Sequence, residues 1–141
     1  SFMWVSSSCI TAIRETSEEL LIPPESIEIV GSSDILVTPF NAIVYSFIGI
    51  IKDYKGTFNS EVKEIFTVPL SFLLSHEPFC YYIDVNMKPG DDFPYHLIQK
   101  GKDYKWAKGK YPVYFYLYED KVIWGITARI TYDFINKIKE L

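Results

Sequence analysis

Arg14-Glu15-Thr16-Ser17-Glu18-Glu19-Leu20-Leu21-Ile22 sets three carboxylates at positions i, i+3 and i+4. On a helix that spacing gathers them on one face. The surrounding pattern predicts such a helix over residues 8–21. Ile10, Ile13, Leu20 and Leu21 fall within one arc at helical period, residues 6–8 are serines that offer an N-cap, and Pro23-Pro24 stop it. The mean direction of Glu15, Glu18 and Glu19 is nearly opposite that arc, so the helix buries one side and presents acid on the other. Carboxylates this close repel one another. A hard divalent cation relieves that cost, because Mg²⁺ takes carboxylate oxygens and keeps waters or phosphates in its remaining positions. Without a ligand the same face is a solvated acidic surface on which Arg14 pairs with Glu18. The helix alone leaves both readings open.

Outward from this helix, residues 26–30 predict a short strand and residues 31–34 a turn. Residues 41–51 read as a long, largely buried strand, and residues 52–60 as a polar loop. Residues 61–68 predict another strand, with Pro69 opening a short helix over residues 70–74. Strands follow at 81–87 and 111–118, separated by a turn at 89–92, and Glu119-Asp120 return the chain toward Val122. From Trp124 onward Ile126, Ile130, Phe134, Ile138 and Leu141 recur at near-helical spacing, which predicts a C-terminal amphipathic helix. Helices flanking strands in this order imply an α/β sandwich, without the regular alternation of a doubly wound parallel sheet.

The 141 residues suit one domain, residues 1–141, and are too few for two of ordinary size. The net charge of −4 argues against electrostatic binding of nucleic acid, which needs a basic face, but is compatible with a metal enzyme whose ligands are acidic. Cys9 and Cys80 make neither a disulfide framework nor a zinc site. No apolar run approaches the ~20 residues needed to span a bilayer. These features predict a soluble protein of the reducing cytoplasm, with no membrane partner. Aromatic content of 17% suits strands, and it also admits stacking on a base.

The acidic segment resembles the second half of the Nudix box, G-x5-E-x7-R-E-U-x-E-E-x-G-U, where U is aliphatic. Arg14, Glu15, Glu18, Glu19 and Ile22 stand where that pattern requires. Ser6 stands in place of the upstream Glu, Thr16 in place of the aliphatic residue and Leu21 in place of the second Gly. The opening Gly would fall just before Ser1. Two later stretches are similar to the coenzyme A diphosphatase branch of that family. Residues 59–74, from Asn59-Ser60-Glu61-Val62-Lys63-Glu64 through Val68-Pro69-Leu70, follow N-x-E-V-x-E-V-F-x-V-P-L-x-F-L-L. Val122-Ile123-Trp124-Gly125-Ile126-Thr127-Ala128-Arg129-Ile130 follows V-I-W-G-x-T-A-R-I.

The resemblance implies a Nudix-type α/β/α sandwich with a mixed sheet, truncated at its N-terminus and without the first two strands. It implies Mg²⁺ or Mn²⁺ on Glu15 and Glu19, with Glu18 a ligand directly or through water, and Arg14 orienting the glutamates. Glu61 or Glu64 would add a ligand or the base that activates water. The implied reaction is hydrolysis of the diphosphate in coenzyme A or a related nucleotide conjugate, giving 3′,5′-ADP and 4′-phosphopantetheine. The departures admit two alternatives: a catalytically impaired Nudix-fold binding or scaffold protein, or an incomplete chain. Apart from the resemblance, each later motif has a plain structural reading. Glu61 and Glu64 suit an exposed strand, Gly125 a close backbone approach, and Arg129 either the surface or a phosphate. His76 and His96 lie in no metal-ligand pattern. Residues 93–111 set Tyr95, Tyr104, Trp106 and Tyr111 among five lysines. That composition suits a phosphorylated nucleotide or a solvated loop with aromatic anchors at a homodimer contact.

Overall fold

The computed structural model describes residues 2–5, 8–38 and 42–141. Ser6 and Asn41, which enter the N-cap and strand expectations, lie outside the described residues. Strand β1 (Phe2–Val5) precedes helix α1 (Cys9–Leu20), and β2 (Ile27–Ser32), β3 (Leu36–Val37), β4 (Ile43–Val44) and β5 (Ser46–Ile51) follow. Helix α2 (Leu70–Ser75), β6 (Phe79–Asn86), β7 (Lys108–Tyr118), β8 (Lys121–Trp124) and helix α3 (Gly125–Lys139) complete the order.

The α/β class expected from the sequence holds. Its sheets are arranged differently from a single mixed sheet. Every ladder among the described residues is antiparallel, in three sheets of order β1-β5-β2, β3-β4 and β6-β7-β8. A strand does precede the acidic helix, contrary to expectation: β1 pairs along β5 from Phe2↔Gly49 to Val5↔Ser46. The strand expected over residues 41–51 divides into β4, which pairs with β3, and β5, which pairs with β1 and β2. No strand forms over residues 61–68. That stretch is instead a strap, held by Asn59 at one end and by a Glu64–Lys121 ion pair of 3.1 Å further along.

Helix α1 starts as its serine predicted, with the Thr11 N–H donating to Ser8 Oγ at 3.1 Å. Of the expected arc Leu20 is buried and Ile13 half-buried, while Ile10 is 81% and Leu21 60% exposed; Ala12 and Thr16 complete the buried stripe. The reason lies in the sheet below. Ala12, Ile13 and Thr16 surround a small apolar hollow with Ile27, Ile29, Phe47 and Gly49. The helix sets Ala12, Ile13 and Thr16 toward the larger apolar side chains of the sheet, and Ile10 stays outside that contact.

Helix α3 packs on β7 and β8. Its buried residues are Ala128, Ile130, Thr131 and Ile135; of the predicted face Ile130 is buried, Phe134 half-buried and Ile126 40% exposed, so that side packs as expected, with Ala128, Thr131 and Ile135 deepest beside it. Gly125 opens the helix at φ +66, and a Cβ there would meet nothing within 4 Å. Its requirement is therefore conformational, not the close backbone approach that the sequence also allowed.

Tyr116 of β7 is 2% exposed beneath α3, and its hydroxyl has no hydrogen-bond partner among the described residues. Burial first, then the charges of Glu77 and Asp133 and the Tyr132 phenol, push its ionisation upward, so it stays protonated. A buried, unpaired hydroxyl costs about 1–3 kcal/mol. Tyr116→Phe is expected to raise unfolding free energy by about 1 kcal/mol, measured as a shift in urea midpoint at constant slope.

Candidate functional site

The shift of the buried stripe changes where the acids stand. Glu15 and Glu19 flank the line Ala12–Thr16–Leu20 and are half-buried, whereas Glu18 is exposed. They rise from the margin of the packed face, not from its opposite side. Glu19 records this position. Its carboxyl is raised above the ordinary value near 4.5, first by desolvation and then by the charges of Glu61, Glu15 and Glu18. Glu61, more than forty residues away in sequence, thus acts on Glu19 more strongly than its own helix neighbours do.

Hydrogen bonds explain how Glu61 comes there. A loop returns to the C-terminal carbonyls of α1, which a helix end leaves without intrahelical partners. The Asn59 N–H donates to Glu19 O at 2.7 Å, Asn59 Nδ2 to Glu18 O at 3.1 Å, and Thr57 Oγ1 to Leu20 O at 2.5 Å. The Glu61 N–H then donates to Asn59 Oδ1 at 3.0 Å, an Asx turn that sets Glu61 beside the helix end. Neither Asn59 nor Thr57 had been expected to shape the site. An Asn two residues before a Glu is a turn signal, but sequence cannot say which carbonyls it will meet.

The helix ends in a Schellman arrangement: the Ile22 N–H donates to Ser17 O at 3.1 Å, and Leu21 is left-handed at φ 55, ψ 46. Leu21 stands where the box that this segment resembles has Gly, the relaxed residue in this conformation. A side chain in this conformation costs about 1–2 kcal/mol, of which glycine's greater unfolded-state freedom returns about 0.5–1. Leu21→Gly is expected to stabilise the chain by about 0.5–1 kcal/mol and to raise the thermal midpoint by roughly 2–4 °C.

Arg14 lies between two of the acids, with Nη1 3.3 Å from Glu18 Oε1 and Nη2 3.9 Å from Glu15 Oε1. Exposed pairs of this kind contribute little to stability. Glu64 stands apart from the group. It accepts from Lys121 Nζ at 3.1 and 3.2 Å, and this bond raises the lysine's pKa. Arg129 spans Asp133 at 3.3 Å and lies over the Tyr114 ring, so it is held within α3 and β7. His76 stacks on Phe72 at 4.2 Å, away from the acids.

Among the described residues, no group of three or more His, Cys, Asp or Glu side chains is disposed to hold a metal ion. The convergence of Glu15, Glu18 and Glu19 on one point is therefore not seen; Glu18 is drawn to Arg14 instead. The donor set nevertheless suits a hard divalent cation in kind. It consists of carboxylate oxygens, and Glu19 carries the charge crowding that such an ion relieves.

Comparison with known proteins finds relatives along most of the chain. The Nudix hydrolase NudL of Photorhabdus laumondii is 28% identical over 131 residues, covering 92% of this chain and 59% of that protein. The mitochondrial Nudix hydrolase 15 of Arabidopsis thaliana is 27% identical, over 86% of this chain and 38% of its own length. The peroxisomal coenzyme A diphosphatase of Mus musculus is 33% identical over 91 residues, 63% of this chain and 38% of that protein. The chain thus spans between about a third and three-fifths of the relatives it matches. No family model matches it. No helix among the described residues is long and apolar enough to cross a membrane. Mitochondrial and peroxisomal proteins stand among the relatives, so kinship does not single out the cytoplasm expected from the sequence.

Proposed function

We propose that this chain, like the relatives it resembles, is a Nudix hydrolase, and that it hydrolyses the diphosphate of a nucleotide conjugate, coenzyme A being the substrate. The observation that carries the reading is the crowding of Glu15, Glu18 and Glu61 around the partly desolvated Glu19. Like charges assembled by a dedicated hydrogen-bonded loop destabilise the fold, and such a cost is characteristic of a functional site.

In this reading the 141 residues form one hydrolase domain. Glu15 and Glu19 would hold Mg²⁺ or Mn²⁺, and Glu18 would assist directly or through water. When bound, the cation neutralises the diphosphate charge that would otherwise repel an attacking oxygen. Arg14 keeps Glu15 and Glu18 oriented. Glu61 accepts a proton from the attacking water, its position fixed by the Asx turn at Asn59. Water oxygen bonds to one phosphorus as the bridging P–O bond breaks, so coenzyme A yields 3′,5′-ADP and 4′-phosphopantetheine. Glu64, engaged by Lys121, takes no part.

The test is incubation with coenzyme A and MgCl₂ or MnCl₂, followed by chromatographic identification of both products. Absence of both under either metal, from a folded chain, rejects hydrolysis of coenzyme A by this chain. A second reading, a Nudix-fold binding protein without turnover, draws on the lack of a preformed three-ligand group. It predicts intact coenzyme A after the incubation together with measurable binding.

A further inference from the structure

The region between β6 and β7 has a composition and shape that the acidic helix does not use. Residues 100–110 carry five lysines against a single aspartate, in a chain whose net charge is −4. At their centre is an open cavity of about 610 Å³ lined by Asn86, Met87, Lys105, Trp106, Ala107 and Lys108. A second hollow of about 240 Å³, lined by Gln99, Lys100, Tyr104 and Lys105, shares Lys105 with the first, so the two adjoin.

Three observations define what would fit. First, Trp106 is held in place by ring contacts, with its centroid 5.4 Å from Phe93 and 5.0 Å from Tyr104. An indole fixed by its neighbours offers a surface whose ordering cost is already met by folding. Second, Lys100, Lys105 and Lys108 take part in none of the ion pairs among the described residues, whereas Lys110, Lys121, Lys137 and Lys139 each have a carboxylate. Third, Asn86 adds an amide to the same wall, able both to donate and to accept. Unpaired ammonium groups beside a fixed indole are complementary to a ligand that joins an anionic group to an aromatic ring.

We propose that this cavity binds a phosphorylated nucleoside, with the base against Trp106 and the phosphates on Lys105 and Lys108. Lys100 lies in the adjoining hollow, where a second phosphate of a bisphosphate would extend. As the nucleotide half-site of a hydrolase this assignment rests on the reading above; as a binding site it does not.

The test separates the two by working in EDTA, where metal-dependent turnover is absent. 3′,5′-ADP is titrated into the whole chain at low ionic strength, with calorimetry and tryptophan fluorescence as readouts, and adenosine and pyrophosphate serve as comparison ligands. 3′,5′-ADP is expected to bind about 10-fold or more tightly than either, since stacking and charge each contribute on that scale. Lys105→Gln/Lys108→Gln should weaken 3′,5′-ADP by about 10-fold or more and leave the melting temperature unchanged, because both lysines are exposed. Trp106→Leu should weaken 3′,5′-ADP but not pyrophosphate. The proposal is overturned if 3′,5′-ADP does not bind at millimolar concentration, if the lysine double variant binds it undiminished, or if pyrophosphate binds as tightly. Loss of hydrolysis with retention of this binding would count against the acidic helix alone.

Discussion

Glu19→Gln is expected to remove at least 100-fold of the proposed Mg²⁺-dependent coenzyme A hydrolysis, while making the folded chain more stable at pH 7. The first effect follows, in the proposed reading, from losing a carboxylate that would hold the cation, since one electrostatic group of this kind is commonly worth about 10²–10³ in rate. The second follows from the pKa of Glu19. Its folded value is raised by desolvation and then by Glu61, Glu15 and Glu18. A carboxyl raised in the folded state binds its proton more tightly there than when unfolded, so its protonation favours the fold. That contribution is complete below the ordinary value near 4.5 and is lost as pH rises through the raised folded value. At neutral pH the wild type therefore carries an uncompensated cost that Gln does not. The advantage of Glu19→Gln in melting temperature should be present at pH 7 and should close as pH falls toward 4.5. Added Mg²⁺ should raise the wild-type midpoint more than that of the variant. An equal response to Mg²⁺, or a variant less stable than wild type at pH 7, would contradict the electrostatic account.

Ile135→Ala is expected to cost about 3 kcal/mol, the larger of the two stability effects, and to lower the melting temperature by roughly 10 °C. Ile135 is 1% exposed in the layer between α3 and the sheet, where truncation leaves a cavity that its neighbours fill only in part. Phe134 is the larger side chain, yet it is half-buried. Phe134→Ala should therefore cost less than a fully buried Phe would. Urea unfolding of both variants tests the order, and a greater loss at Phe134 would centre the contact face of α3 where periodicity alone had put it.

That difference shows how far the sequence reaches. Helix α1 was legible to within a residue or so at each end, because its capping serine, its period and its terminating prolines are all local signals. The α/β class and helix α3 were legible for the same reason. The face that each helix buries was legible only in part, through Leu20 on α1 and Ile130 on α3. Ile10 is more hydrophobic than Ala12 and lies well within an apolar arc, yet Ala12 is buried, facing Ile27, Ile29 and Phe47 across a small hollow, and Ile10 is exposed. Such a choice belongs to the pair of surfaces, and period along one element cannot reveal it. The acidic residues followed the same rule. Glu15, Glu18 and Glu19 were evident from spacing, but the half-buried standing of Glu19 depends on which stripe packs. Between Glu61 and Glu64 the sequence offered no choice; a lysine on β8 takes one, and an Asx turn delivers the other to the helix.

The bonds from residues 57–59 to the end of α1 also bear on the order in which the protein folds. They link residues 37 and 41 positions apart, and closing such a loop from an open chain costs roughly 3 kcal/mol of entropy. Helix α1 relaxes locally within about a microsecond, but its carbonyls must wait for that closure. Pairing of β2 with β5 shortens the wait. Once Ile27 lies opposite Ile51 and the Lys52 N–H reaches Ser26 O, only short segments separate the helix end from Thr57. The meeting of Glu19 with Glu61 is then a late, inexpensive step that follows a strand register. A substitution that slows the β2–β5 hairpin, with every carboxylate intact, would delay assembly of the acidic group in each newly made chain.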